Sequence, residues 1–188
     1  KSQIADFLED APWLLRPANY TGRAPGRGCG IYDLGRVRIR VLNLIGRCDL
    51  AWGADNPFTA ADRLLERDAA DFTLVDFHAE ATSEKLAMAY YLDGKVSALW
   101  GTHTHVQTAD ERVNPKGTGY ITDLGMTGPY HSVLGVRIEQ SIAMFRGDLT
   151  EYFKTAPGDC AVSGAVFEIE RGGKCVSVER VWKEYKVR

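Results

Sequence analysis

The chain predicts an α/β fold, and three observations carry the prediction. Residues 72–77 and 95–100 are short, mostly apolar runs on either side of a helical stretch, residues 84–91. That strand–helix–strand order is the signature of two parallel neighbours in one sheet. Residues 30–46 read as a hairpin turning at Gly35-Arg36, and residues 161–170 and 174–182 as a second pair of strands joined by Arg171-Gly172-Gly173. A chain of 188 residues buries a real core, and the expectation is one domain over residues 1–188.

Each element has its own signal. Ser2 caps a short helix in which Ile4, Phe7 and Leu8 share a face, and Pro12 ends it. Gly22, Pro25, Gly26, Gly28 and Gly30 then make a loop that also carries Arg23 and Arg27. Such a loop could hold phosphate, but it lacks the strand–loop–helix Walker pattern and reads as a surface connection. In the hairpin, residues 37–45 alternate first and end as a nearly continuous apolar run, so this strand passes into the interior. Asn43 within it needs a partner, most simply the backbone. A helix opens at Thr59 and runs to about Asp68, and Thr82 or Ser83 caps the helix of residues 84–91. A short strand is expected over residues 119–124, and Ile138, Ile142 and Phe145 mark a further helix.

Composition narrows the function classes. Hydrophobic residues at 45% and charged residues at 26% are those of an ordinary soluble globular chain. A net charge of −2 gives no general basic field for nucleic acid, and no duplex partner is expected. No apolar run approaches the roughly 20 residues that cross a bilayer, so no membrane partner is expected. The four cysteines, Cys29, Cys48, Cys160 and Cys175, form no Cys-x-x-Cys pair and are sparse for a disulfide scaffold. A reducing, cytoplasmic setting with buried or half-buried thiols is expected. The chain lacks an initiator Met and a signal-peptide core and opens directly in a helical pattern, which suggests a start inside a longer protein.

Three of the four histidines fall at the C-terminal ends of two predicted strands: His78 after residues 72–77, His103 and His105 after residues 95–100. Open α/β sheets usually bind ligands there. Two residues apart in extended backbone, His103 and His105 would project to one side. Imidazoles converging in this way suit a divalent transition metal such as Zn, Fe, Mn or Ni.

Leu15-Arg16-Pro17-Ala18-Asn19, Asp76-Phe77-His78-Ala79-Glu80-Ala81-Thr82-Ser83-Glu84-Lys85, Gly101-Thr102-His103-Thr104-His105-Val106-Gln107-Thr108-Ala109-Asp110 and Thr122-Asp123-Leu124-Gly125-Met126-Thr127-Gly128-Pro129 follow one another in this order. Together they resemble the YmdB-type branch of the calcineurin-like metallophosphoesterases, across essentially the whole chain. The resemblance implies a sandwich of two β-sheets flanked by helices. It implies a phosphodiesterase acting on 2′,3′-cyclic nucleotides or related phosphodiesters through two metal ions, usually iron or manganese, and a bridging hydroxide. His78 and His103 would ligate one metal and His105 the other. Asp76, Glu80 and Asp123 are candidates to fix the ring tautomers, Thr127, Gly128 and Lys85 to contact substrate phosphate. His131 lies outside the matching motifs.

The family pattern begins with a strand ending in Gly-Asp, an Asn-Gly-Glu-Asn element and Gly-Asn-His-Thr-Trp-Asp, and none of these occurs here. The implied N-terminal strands, bridging acid and catalytic histidine are therefore missing. Two close divalent ions repel strongly without that acid. The expectation is that this chain alone binds at most one metal weakly and turns over little. Two other readings are a non-catalytic assembly module, which would form a homo-oligomer through exposed sheet edges, and a phosphomonoesterase with the same metals.

Overall fold

Two β-sheets carry the fold. The computed structural model describes residues 2–20, 24–50, 53–67, 69–148 and 152–187, with only the backbone at Ser2 and Gln3. The Gly22–Arg23 part of the glycine-rich loop, the Ser2 cap and the Asp68 helix end lie outside the described residues or side chains.

The first sheet begins with the expected hairpin, β1 (Cys29–Asp33) and β2 (Arg38–Ile45), paired antiparallel. β3 (Phe72–His78) lies parallel to β2, and β4 (Ala98–Thr102) parallel to β3. The parallel strand pair and its helical crossover are thus as the sequence predicts. β5 (Arg112–Val113) and β6 (Gly119–Ile121) complete the order β1-β2-β3-β4-β6-β5. The second sheet joins β7 (Gly128–Pro129), β8 (Cys160–Ile169) and β9 (Cys175–Tyr185), all antiparallel.

Alternation places the core. In β3 every second residue, Thr73, Val75 and Phe77, is buried. Val75 and Phe77 join Leu42 and Leu44 of β2 and Leu99 of β4 under Ala60 and Ala61 of α2 (Pro57–Leu65) and Met88 and Ala89 of α3 (Thr82–Tyr91). The second sheet packs on the other face, with Trp100 and Phe167 ring centroids 5.9 Å apart. Gly101 is required for packing at the end of β4, because a Cβ there would lie 1.9 Å from the Thr122 carbonyl oxygen.

Several boundaries differ from expectation. α2 starts at Pro57, not Thr59: Asn56 Oδ1 accepts from Phe58 N at 2.9 Å, and proline suits the first turn, where its missing N–H costs nothing. α3 starts at Thr82, with Ala81 as its cap and no side-chain capping bond, so neither Thr82 nor Ser83 caps it. β4 begins three residues later than predicted and β6 ends at Ile121. α1 (Ser2–Asp10) and α4 (Ile138–Arg146) form, yet Ile4 is 70% and Phe145 81% exposed. Periodicity reports which residues share a face, not whether anything covers it. Among the thiols, all free, Cys48 is exposed rather than buried. No helix among the described residues is long and apolar enough to cross a membrane.

Candidate active site at the strand ends

The face of the first sheet away from α2 and α3 turns polar toward the C-terminal ends of its strands. Parallel register sets Asn43, Asp76 and Trp100 side by side and, further along the same strands, His78 beside Thr102. Asn43 Nδ2 donates to Asp76 Oδ2 at 3.3 Å, and Thr102 Oγ1 donates to Asp76 Oδ1 at 3.3 Å. With its hydrogen given to Asp76, the Thr102 oxygen accepts from His78 Nδ1, 3.0 Å away. His78 is thereby held with Nδ1 protonated and Nε2 as a free lone pair.

His78 Nε2 lies 2.9 Å from His103 Nδ1, the rings edge to face. On its far side His103 Nε2 meets the Glu80 carboxylate at 2.9 Å. A neutral His103 that gives its Nε2 hydrogen to Glu80 turns a second lone pair toward that of His78. Outer partners thus aim two imidazole nitrogens into one gap, which only a proton or a cation satisfies. Burial, then His103 and Lys85, holds His78 below the usual histidine range, favouring the neutral ring that ligation needs. Burial likewise raises Asp76.

The loop that presents His103 is clamped from below. Lys85 is fully buried on α3, and its Nζ lies 2.9 Å from Asp123 Oδ2. The same carboxylate accepts from Thr104 N at 3.0 Å and Gly125 N at 2.9 Å. Burial alone would raise Asp123, but the bonds from Lys85, Gly125 and Thr104 outweigh it and lower the carboxyl below its ordinary range. The expectation that Lys85 touches substrate phosphate is corrected here: its ammonium is spent on Asp123, out of solvent. Asp123 does sit behind the histidine loop, as expected.

The extended backbone expected between His103 and His105 is also corrected. Both have positive φ, 115° and 64°, so the backbone between them is not extended. His105 is exposed and makes no hydrogen bond to the other two, although its nearness adds slightly to the lowering of His78. Among the described residues no group of three or more His, Cys, Asp or Glu converges as a ready metal site. Thr127 is exposed and exchanges bonds with the Ser163 backbone on β8, accepting at 3.3 Å; Gly128 opens β7. Neither bonds to the histidines. His131 stacks on Tyr130, ring centroids 4.3 Å apart.

Two amides were missed by sequence reasoning. Asn19, fully buried, pins the end of β2 beside His78: Nδ2 donates to Ile45 O at 2.7 Å and Oδ1 accepts from Ile45 N at 2.9 Å. Gln107 Nε2 reaches Gly164 O at 2.8 Å and Val181 O at 3.1 Å, stapling the histidine loop to the second sheet. Both stand inside quoted motifs, which is the signal that could have found them. Asn43 was expected to bond backbone, whereas its amide serves Asp76, and its buried Oδ1 has no partner among the described residues.

A family model described as YmdB-like protein matches residues 1–181. The chain belongs to that family. This YmdB-like chain is 47% identical over 184 residues to the 2′,3′-cyclic-nucleotide 2′-phosphodiesterase of Bacillus subtilis strain 168, covering 96% of the chain and 69% of that protein. A crystal structure of a hypothetical protein from Thermus thermophilus superposes with a TM-score of 0.89 at 42% identity, covering 98% of this chain and 72% of that one. A novel phosphatase of Mycoplasma pneumoniae superposes with a TM-score of 0.88 at 35% identity, covering 99% and 68%. The YmdB-like family is one of phosphoester hydrolases, and its two-sheet α/β fold is the one seen here.

Proposed function

We propose that the protein is a metal-dependent phosphodiesterase acting on 2′,3′-cyclic nucleotides or related phosphodiesters. The observation that carries this reading is the His78–His103 pair, whose inner nitrogens face each other at 2.9 Å while Thr102 and Glu80 occupy the outer ones. Neighbouring ligands on one six-coordinate ion with bonds of ~2.1 Å stand about that far apart. The donor set fits a divalent ion: neutral imidazoles hold a metal without cancelling its charge. His105, on the same loop as His103, is the ligand we propose for a second ion. When bound, a metal pair supplies Lewis acidity and an activated water. The chain's own residues orient. Asp76 and Thr102 set the His78 ring, Glu80 sets His103, and Lys85–Asp123 hold the loop between them. Iron and manganese are the metals we expect, and a cytoplasmic setting fits four free thiols.

The name of the Bacillus subtilis relative supports the diester reading, and that of the Mycoplasma pneumoniae relative supports a second, phosphomonoesterase reading. The test assays metal content and hydrolysis of 2′,3′-cyclic AMP and of a 3′-monophosphate, on the gene product at its natural length and on these 188 residues. Chelator-sensitive diester hydrolysis by the natural-length protein is expected, and for the 188 residues by themselves at most one weakly held metal and little turnover. Full turnover after exhaustive chelation would overturn the metal reading. Cleavage of the monoester alone would favour the second reading.

A further inference from the structure

The side of β1 and β2 that faces α2 carries a groove that shares no residue with the histidine site. Two adjoining cavities of about 330 and 560 Å³ form it, with Arg27, Cys29, Leu64 and Arg67 common to both. Six arginines line it: Arg16, Arg27, Arg38, Arg40, Arg63 and Arg67. Among the described residues two carboxylates, Asp33 and Asp55, line it with them, and Asp33 Oδ1 already accepts from Gly35 N at 2.7 Å.

Two of the arginines build the walls. Arg16 donates to the carbonyls of Pro17, Ala24 and Pro25 at 2.8–3.0 Å, and Arg40 to those of Leu65 and Arg67. The other four, Arg27, Arg38, Arg63 and Arg67, are exposed, and none pairs with a carboxylate among the described residues. The C-terminal end of α2 welcomes positive charge and accounts for Arg63 and Arg67. It does not account for Arg27 and Arg38, which come from the opposite wall. Like charges gathered without counter-charge repel, so the arrangement is one that an anion would relieve.

The form of the anion follows from the layout. The arginines are spread over both cavities: Arg16 and Arg63 line the first alone, Arg38 and Arg40 the second alone, and Arg27 and Arg67 both. The strand β1 between them pairs with β2 from Cys29–Leu42 to Asp33–Arg38, a run of about 13 Å at ~3.3 Å per residue. Guanidinium forks match phosphate oxygens in pairs. We infer that this groove binds a short single-stranded oligoribonucleotide through its backbone phosphates. The choice of nucleic acid over an acidic peptide rests on the phosphodiesterase reading; the groove itself does not.

The test measures fluorescence anisotropy of a labelled decauridylate with the natural-length protein, in excess chelator so that no hydrolysis intervenes. Binding is expected at 50 mM salt, with log K falling against log salt at a slope of about −2 to −3, at ~0.7 per neutralised phosphate. Arg63→Gln with Arg67→Gln should weaken binding about tenfold and flatten the slope by about 1.4. Arg27→Gln, on the other wall, should weaken it too, and unchanged melting temperatures show that the variants fold. No binding at 50 mM salt, or variants that bind like the parent, would overturn the inference. So would a polyglutamate of equal charge, or inorganic tripolyphosphate, binding as tightly as the RNA. The assay is independent of turnover: an inactive protein that binds RNA sinks the phosphodiesterase reading alone, and an active one that ignores RNA sinks this one alone.

Discussion

The two faces of β3 differ in what they ask of their neighbours. Val75 and Phe77 on one face are fully buried among apolar side chains from β2, β4, α2 and α3. Asp76 and His78, one residue out of phase, face Asn43, Thr102 and His103. The apolar face stabilises by the area it removes from water. The polar face works against stability, since burial raises Asp76 and lowers His78. A site mounted on the back of a core strand inherits that strand's rigidity, and the two faces should therefore fail in different ways when broken.

The apolar face should fail by unfolding. Phe77→Ala is expected to lower stability by about 3–5 kcal/mol, read as a fall in denaturation midpoint. Next comes the buried ion pair beneath the histidine loop. Lys85→Met leaves Asp123 buried without its counter-charge and should cost about 3–5 kcal/mol. Replacing both partners by apolar residues should recover much of that loss; if the double variant is no better than the single one, Lys85 does more than neutralise Asp123. The polar face should fail by losing activity while staying folded. His78→Ala in the natural-length protein is expected to cut cyclic-nucleotide hydrolysis and metal content by at least about a hundredfold with little change in melting. Thr102→Val keeps the shape but removes the bond that fixes the His78 tautomer, and about tenfold loss is expected, with Thr102→Ser restoring most of it.

The same contrast explains what could be read in advance. The apolar end of residues 37–45 is local, and it placed the end of β2 in the interior correctly, while residues 72–77 were read only as a strand, which they form. The class of fold followed from them. The histidine loop was not legible in the same way. Positive φ at His103 and His105 is a tertiary result, imposed where Asp123 takes Thr104 N, and nothing in His-x-His announces it. Lys85 looked like a cation for phosphate because its partner lies 38 residues further along the chain. Asn43 looked like a core amide because strand pairing alone decides that Asp76 stands beside it. Net charge hid the arginine groove for a related reason: a total of −2 averages over a patch where, among the described residues, six arginines meet two aspartates.

The smallest expected effect separates the faces most sharply, because its sign differs for two carboxylates of one site. Asp123 has its folded pKa lowered, so it contributes stability above the unfolded value of about 3.9, which is lost as pH falls through the folded one. Asp76 has its folded pKa raised, so the opposite holds: its charge disfavours folding increasingly as pH rises past about 3.9, and that cost is complete above the folded value. Above the folded value of each, the Asp123 charge helps and the Asp76 charge hurts. Asp76→Asn removes the buried charge while keeping an oxygen for Thr102, and it should raise the melting temperature slightly at pH 7 and not at all at pH 3. Its hydrolytic activity should fall, because a neutral amide holds the Thr102–His78 bond less firmly. A variant that melts lower at pH 7 would show that Asp76 is held by more favourable partners than Asn43 and Thr102, and that the polar face is a source of stability after all.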